Sequence, residues 1–217
     1  MQDDVKKIGG VVARLFRSGI LLVCALFATC AYSASKTVLV LGDSLSAEYG
    51  LAHGSGWVPL LEKRLKSEKL DADVVNASIS GETTSGGKSR LQPLLDQYKP
   101  AIVVLELGAN DGLRGLPVKS AEANLRDMIV ASQKAKAKVL LVGMQIPPNY
   151  GRDYTQKFSS LYTTLAKETK VNLVPFLLEG VASKPELFQA DRLHPIADAQ
   201  PIILNNVWPH LKSLLVK

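Results

Sequence analysis

The segment VLVLGDSLSAEYG, Val38–Gly50, runs four aliphatic residues into a glycine and delivers a lone serine at the exit. Its first half is apolar on both faces rather than alternating, the pattern of a strand covered by helices on each side of a parallel sheet. The same pattern recurs in ADVVNAS (72–78), AIVVLELG (101–108), KVLLVGM (138–144) and VNLVPF (171–176). Amphipathic stretches fill the intervals. GWVPLLEKRLKSE puts Val58, Leu61 and Leu65 on one stripe, and TTSGGKSRLQPLLDQY carries Leu91, Leu94 and Leu95. SAEANLRDMIVASQKAK is expected to open at Ser120 with a Glu in its first turn, and DYTQKFSSLYTTLAKET presents Phe158, Leu161, Tyr162 and Leu165. The last, ADAQPIILNNVWPHLKSLLV, packs Ile202, Ile203, Val207, Leu211 and Leu214, with a kink expected at Pro209. Strands separated by single helices predict right-handed βαβ units and one doubly wound α/β domain.

Such sheets bind ligands beyond the carboxyl ends of their strands. At those ends, and before the last helix, stand GDSLS, NASISGET, LGANDG and DRLHP. Each offers a residue type that acyl transfer uses. Ser44 needs a base to become a nucleophile. GDSLS is not a G-x-S-x-G elbow, because position 46 is serine, and alone it reads equally as a strand end. Of three histidines, His53 lies in a Gly/Ser-rich loop and His210 in the terminal helix. His194 stands three residues after Asp191, a spacing that lets the carboxylate accept from Nδ1–H and leaves Nε2 for Ser44. Gly81 can present an open backbone N–H and Asn110 a side-chain amide, and the N–H of Ser44 itself would be a third donor toward an oxyanion. Asp43 is expected to fix its turn by local hydrogen bonds rather than to react.

These four blocks resemble blocks I, II, III and V of the SGNH (GDSL-type) hydrolase superfamily, and the similarity runs from about Lys36 to the end through connecting segments such as LELGANDGLRG and PPNYGRDY. The resemblance implies a single three-layer α/β/α flavodoxin-like domain with a mainly parallel five-stranded sheet. It implies Ser44 as nucleophile, His194 as base, Asp191 as its orienter, and an oxyanion hole from Ser44, Gly81 and Asn110. It also implies ester and thioester hydrolysis, lysophospholipids and aryl esters included, with broad acyl specificity and no metal or cofactor. Leu113, Leu116, Ile146, Pro147, Phe188 and Leu193 could hold an acyl chain, although each could equally close the core. Rival expectations are a carbohydrate O-acetylesterase and a non-catalytic acyl carrier; the complete set of reactive groups argues against the carrier.

The first 33 residues read as a secretory signal peptide ahead of a domain over 34–217. Lys6, Lys7, Arg14 and Arg17 form a basic n-region, Gly19–Thr29 an apolar core too short to span a bilayer comfortably, and Ala31 and Ser33 fit the −3 and −1 positions. An uncleaved anchor or a lipidated Cys30 fits this pattern less well, so a periplasmic or secreted monomer is expected. Both cysteines lie in the leader, so the exported chain has no disulfide, thiolate nucleophile or cysteine metal site. Removing the leader lowers the formal charge from +6 to +4. Without a dense basic stripe or interleaved aromatics, nucleic acid is not an expected partner. KAKAK (134–138) is the nearest basic cluster, and complementing a helix end accounts for it.

Overall fold

A computed structural model describes residues 35–216; the leader read in residues 1–33 lies outside them. Five strands, β1 (Lys36–Gly42), β2 (Ala72–Asn76), β3 (Ile102–Glu106), β4 (Lys138–Val142) and β5 (Asn172–Val174), form one sheet in the order β2-β1-β3-β4-β5. Every pairing is parallel, with Val38 opposite Val74 on one side and Ile102 on the other. The sheet is therefore parallel throughout rather than mainly so. β1 and β3 are central, and Val38–Leu41 and Ile102–Leu105 are buried on both faces. Burying each such aliphatic side chain is worth about 1.5–3 kcal/mol against leaving it exposed.

Helices α1 (Trp57–Ser67), α2 (Thr84–Tyr98), α4 (Val118–Lys134), α5 (Arg152–Thr169) and α6 (Gln200–Leu215) cover the sheet, and a five-residue helix α3 (Ala109–Leu113) follows β3. α1 packs on α6, while α4 packs between α2 and α5. The apolar stripes face inward as the periodicity requires: Val58, Leu61, Leu65, Leu91, Leu95, Phe158, Leu161, Tyr162, Leu165, Ile203, Val207, Leu211 and Leu214 are buried, while Leu94 and Ile202 are only partly so.

Boundaries differ from expectation where side chains intervene. β5 stops at Val174 because Pro175 has no N–H for the ladder. β2 ends at Asn76, whose Oδ1 accepts from Ser78 N (3.1 Å) and turns the chain. Helix α4 opens at Val118 rather than Ser120: Pro117 stands at the N-cap, and Ser120 N already donates to the Pro117 carbonyl (2.9 Å). LGANDG, read as a block beyond the third strand, is wound into α3 after Gly108 at φ 116°.

The edge of the sheet away from the strands' carboxyl ends is rich in lysine. α4 ends at Lys134 as KAKAK suggests, and Lys136 takes a left-handed φ of 65°. Lys69, Lys99 and Lys170 do the same at φ 54°, 42° and 56°. A non-glycine residue there costs roughly 1–2 kcal/mol, partly offset by cations beside helix carboxyl ends, about 0.3–1 kcal/mol each. At the same edge Lys36 Nζ donates to the Leu215 carbonyl (2.5 Å) and Lys138 Nζ to that of Leu214 (2.9 Å).

Candidate active site

Beyond β1 the chain makes a tight turn on a buried support. The Asp43 carbonyl accepts from Ser46 N (3.2 Å) and Ala47 N (3.0 Å), and Asp43 Oδ1 accepts from Leu45 N (3.0 Å), the local bonding expected of it. Beneath lies Glu106, fully buried at the end of β3, whose Oε2 accepts from Ser46 Oγ (2.7 Å) and Asp43 N (3.3 Å). Trp57 Nε1 donates to Ser46 Oγ (3.2 Å). A Cβ at position 42 would stand 2.7 Å from Glu106 Oε2 and 2.8 Å from Ser46 Oγ, so Gly42 is required by crowding. This support holds Ser44 at the rim, half-buried.

The partner loop is equally fixed. Phe188 and Pro195 form an antiparallel bridge, and Gln189 N donates to the His194 carbonyl (2.7 Å). Asp191 Oδ1 accepts from Leu193 N (2.9 Å) and His194 N (3.0 Å), an Asx-type turn that needs Arg192 at φ 58°. Its Oδ2 meets His194 Nδ1 at 2.6 Å. The Leu193 N–H, then the imidazole and N–H of His194, hold the Asp191 carboxyl down at about 2. His194 Nε2 lies 2.9 Å from Ser44 Oγ. Two groups 150 residues apart in sequence thus meet, and with Asp191 they make a continuous Ser–His–Asp chain.

The third group lies on the strand-two and strand-three loops. Gly81 has φ 78°, a conformation that favours glycine, and Arg114 Nη2 donates to its carbonyl (2.9 Å). Asn110 Nδ2 donates to Asp43 Oδ2 (3.1 Å) and to the Glu82 carbonyl (3.0 Å). Asp111 reaches across to helix α2, accepting from Thr84 N (2.8 Å) and Thr84 Oγ1 (2.6 Å). Among the described residues, neither Ser44 N–H nor Gly81 N–H has a hydrogen-bond acceptor.

The apolar positions named from sequence fall into two groups. Leu116 and Leu193 are exposed large hydrophobics on the rim, Pro147 is exposed, and Leu113 is half-buried. Ile146 is 8% exposed and packs into the core. Phe188 is partly buried against that core. His53 is fully exposed and pairs with Glu48 (3.4 Å), while His210 sits half-buried in α6.

Three features escaped the sequence. Tyr49 lies tilted over the His194 imidazole, ring centroids 4.3 Å apart. Gln189 Nε2 donates to the carbonyls of Tyr49 (2.9 Å) and Pro195 (3.3 Å), tying the serine loop to the histidine loop. The buried pair Asp43 and Glu106 is the third. Glu106 left a trace, as an ionisable residue inside the apolar run AIVVLELG, and Asp43 is legible as a turn former, but not their pairing. Burial and the charge of Asp43 push the Glu106 carboxyl well above the usual range, and burial pushes Asp43 up to about 6.

The profile of the GDSL-like Lipase/Acylhydrolase family matches residues 40–200, which contain the whole constellation. The chain belongs to that family. Relatives include Esterase TesA of Pseudomonas aeruginosa, 52% identical over 183 residues that cover 84% of this chain and 91% of that one. An Arylesterase of Vibrio mimicus is 46% identical, covering 83% of this chain and 90% of that one. Thioesterase 1/protease 1/lysophospholipase L1 of Escherichia coli K12 is 44% identical, covering 84% and 86%. Among solved structures, the crystal structure of TesA superposes with a TM-score of 0.81 at 53% identity, covering 83% of this chain and all of that one. The psychrotrophic esterase EstA of Pseudoalteromonas sp., inhibited by monoethylphosphonate, gives 0.80 at 45% identity, covering 84% of this chain and all of that one. As a GDSL-like acylhydrolase the protein is an enzyme, a hydrolase of ester bonds.

Proposed function

We propose that the protein is a serine hydrolase that cleaves carboxylic ester and thioester bonds through an acyl-enzyme on Ser44. The observation that carries this is the unbroken chain from Ser44 Oγ through His194 to Asp191, with contacts of 2.9 and 2.6 Å. His194 Nε2 takes the hydroxyl proton as Oγ attacks the carbonyl carbon. The same imidazole then returns that proton to the departing alkoxide or thiolate. Asp191 holds Nδ1 protonated and stabilises the imidazolium. Ser44 N–H, Gly81 N–H and Asn110 Nδ2 receive the developing oxyanion, each donor being worth about 2.7–4 kcal/mol in related chemistry. Water activated by neutral His194 hydrolyses the acyl-enzyme.

Leu116, Pro147 and Leu193, which are exposed, and half-buried Leu113 are the rim residues that would hold an acyl chain, whereas Ile146 closes the core. Exposed residues among them suit a shallow cleft that accepts several acyl groups, aryl esters and lysophospholipids among them. The leader pattern over residues 1–33, with the domain starting at residue 34, supports export to the periplasm or beyond. Among the described residues no helix is long and apolar enough to cross a membrane.

The test is hydrolysis of short p-nitrophenyl esters with fluorophosphonate labelling followed by peptide mapping. Label on Ser44 supports the proposal; turnover with label elsewhere, or none, overturns it.

A further inference from the structure

We infer that Asp43 is a positioning residue for the oxyanion hole, its buried carboxylate fixing which way the Asn110 amide points. The inference rests on the proposed function and goes beyond it, since that mechanism gives Asp43 no part. Asp43 is fully buried, one residue before the nucleophile, and its two oxygens are divided between two tasks. Oδ1 accepts from Leu45 N and shapes the serine turn; Oδ2 accepts from Asn110 Nδ2. An amide presents its donors in the intended direction only if a neighbour can act purely as an acceptor, and an ionised carboxylate is such a group. The Glu82 carbonyl accepts from the same NH2 group, so an oxyanion would share or displace one of these two bonds while Asp43 keeps the donor end of the amide toward the serine loop. Asp43 thus couples nucleophile and oxyanion donor through one side chain.

The groups facing this carboxylate explain why an acid can stay ionised in so enclosed a place. Glu106 on β3 reaches Asp43 only through the backbone N–H, and its Oε1 has no partner among the described residues. Burial and the charge of Asp43 push the Glu106 carboxyl well above the usual range, which favours its neutral form and lessens the like charge beneath Asp43. Asp111 on α3 and Tyr162 on α5 are its acidic and phenolic neighbours, and His194 is the basic group that acts on it.

Asp43→Asn keeps the shape and removes the pure acceptor. Its amide can still accept from Leu45 N only by aiming its own NH2 at Asn110 Nδ2. Asn110 must then turn its Oδ1 inward, and a donor leaves the hole. Protonating Asp43 ends its role as a pure acceptor and so weakens the same constraint on Asn110.

The experiment is a double-mutant cycle of Asp43→Asn and Asn110→Ala on a p-nitrophenyl ester, with Tm measured for each variant. Asp43→Asn is expected to lower kcat about 10²-fold with KM within about threefold, as for loss of one oxyanion donor. The double variant should fall no further than Asn110→Ala alone. Additive losses, or a loss confined to KM, would overturn the inference. Should Asp43→Asn not fold, the pH profile decides instead. Asp43, pushed up to about 6 by burial, should add to the acid limb of wild-type kcat a protonation that Asn110→Ala lacks. Equal slopes in the two enzymes would overturn it. Wild-type enzyme without ester turnover overturns the underlying function, whereas active wild type with an additive cycle overturns this inference alone.

Discussion

Replacing Ser44 by alanine is expected to lower kcat/KM for p-nitrophenyl esters by on the order of 10⁴–10⁶-fold, the loss that serine hydrolases suffer when stripped of the nucleophile. The folded state should scarcely change. The Ser44 hydroxyl makes one contact with another side chain, to His194 Nε2, and the turn around it is held by Asp43, Ser46 and Glu106 instead. Kinetics paired with thermal melting test both halves. A variant that melts with the wild type and hydrolyses at the uncatalysed rate is the expected result. Substantial turnover in the alanine variant would mean that another group attacks the ester.

Asp191→Asn is the second large effect, and it isolates orientation from charge. The amide can still accept from Leu193 N and His194 N through its oxygen, so the loop geometry should survive. What changes is the face toward His194 Nδ1: an NH2 donor now meets it, favouring the tautomer protonated at Nε2. That tautomer cannot take a proton from Ser44. A loss of about 10³–10⁴-fold in kcat is expected, with KM little altered. The carboxyl is held at about 2 in the wild type, so the variant's deficit should be present at every pH from 5 to 8 rather than appear on one limb. A deficit under about tenfold would assign Asp191 to loop structure alone.

The strands and the rim were legible because each rests on a local signal. Runs such as VLVL and IVVL are apolar on both faces only where helices cover both, and strand ends are where glycine, Asp and Asn accumulate. Ser44, Asp191 and His194 could be proposed together because Asp–x–x–His is a local turn and the βαβ rule puts both loops on one edge. What could not be read depends on long-range contact. Nothing near Gln189 announces that its amide crosses to Tyr49, and nothing near Tyr49 that its ring leans over an imidazole. Asn110 was legible as an amide donor; that it is held by Asp43 follows only once β1 and β3 lie side by side. Ile146 shows the opposite difficulty, since an aliphatic residue on a rim loop has the same sequence signature in the core as in a cleft.

The bond from Lys36 to the Leu215 carbonyl brings the start of the first strand beside the end of the last helix, at the sheet edge remote from Ser44. A short covalent bridge between those points, with fresh chain ends cut at the exposed Lys99 turn, would give a circular permutant of the same architecture. In that molecule the hydroxyl and the imidazole would sit a few tens of residues apart along the chain instead of 150. Their order of synthesis is thus a matter of ancestry, while their meeting is fixed by the sheet.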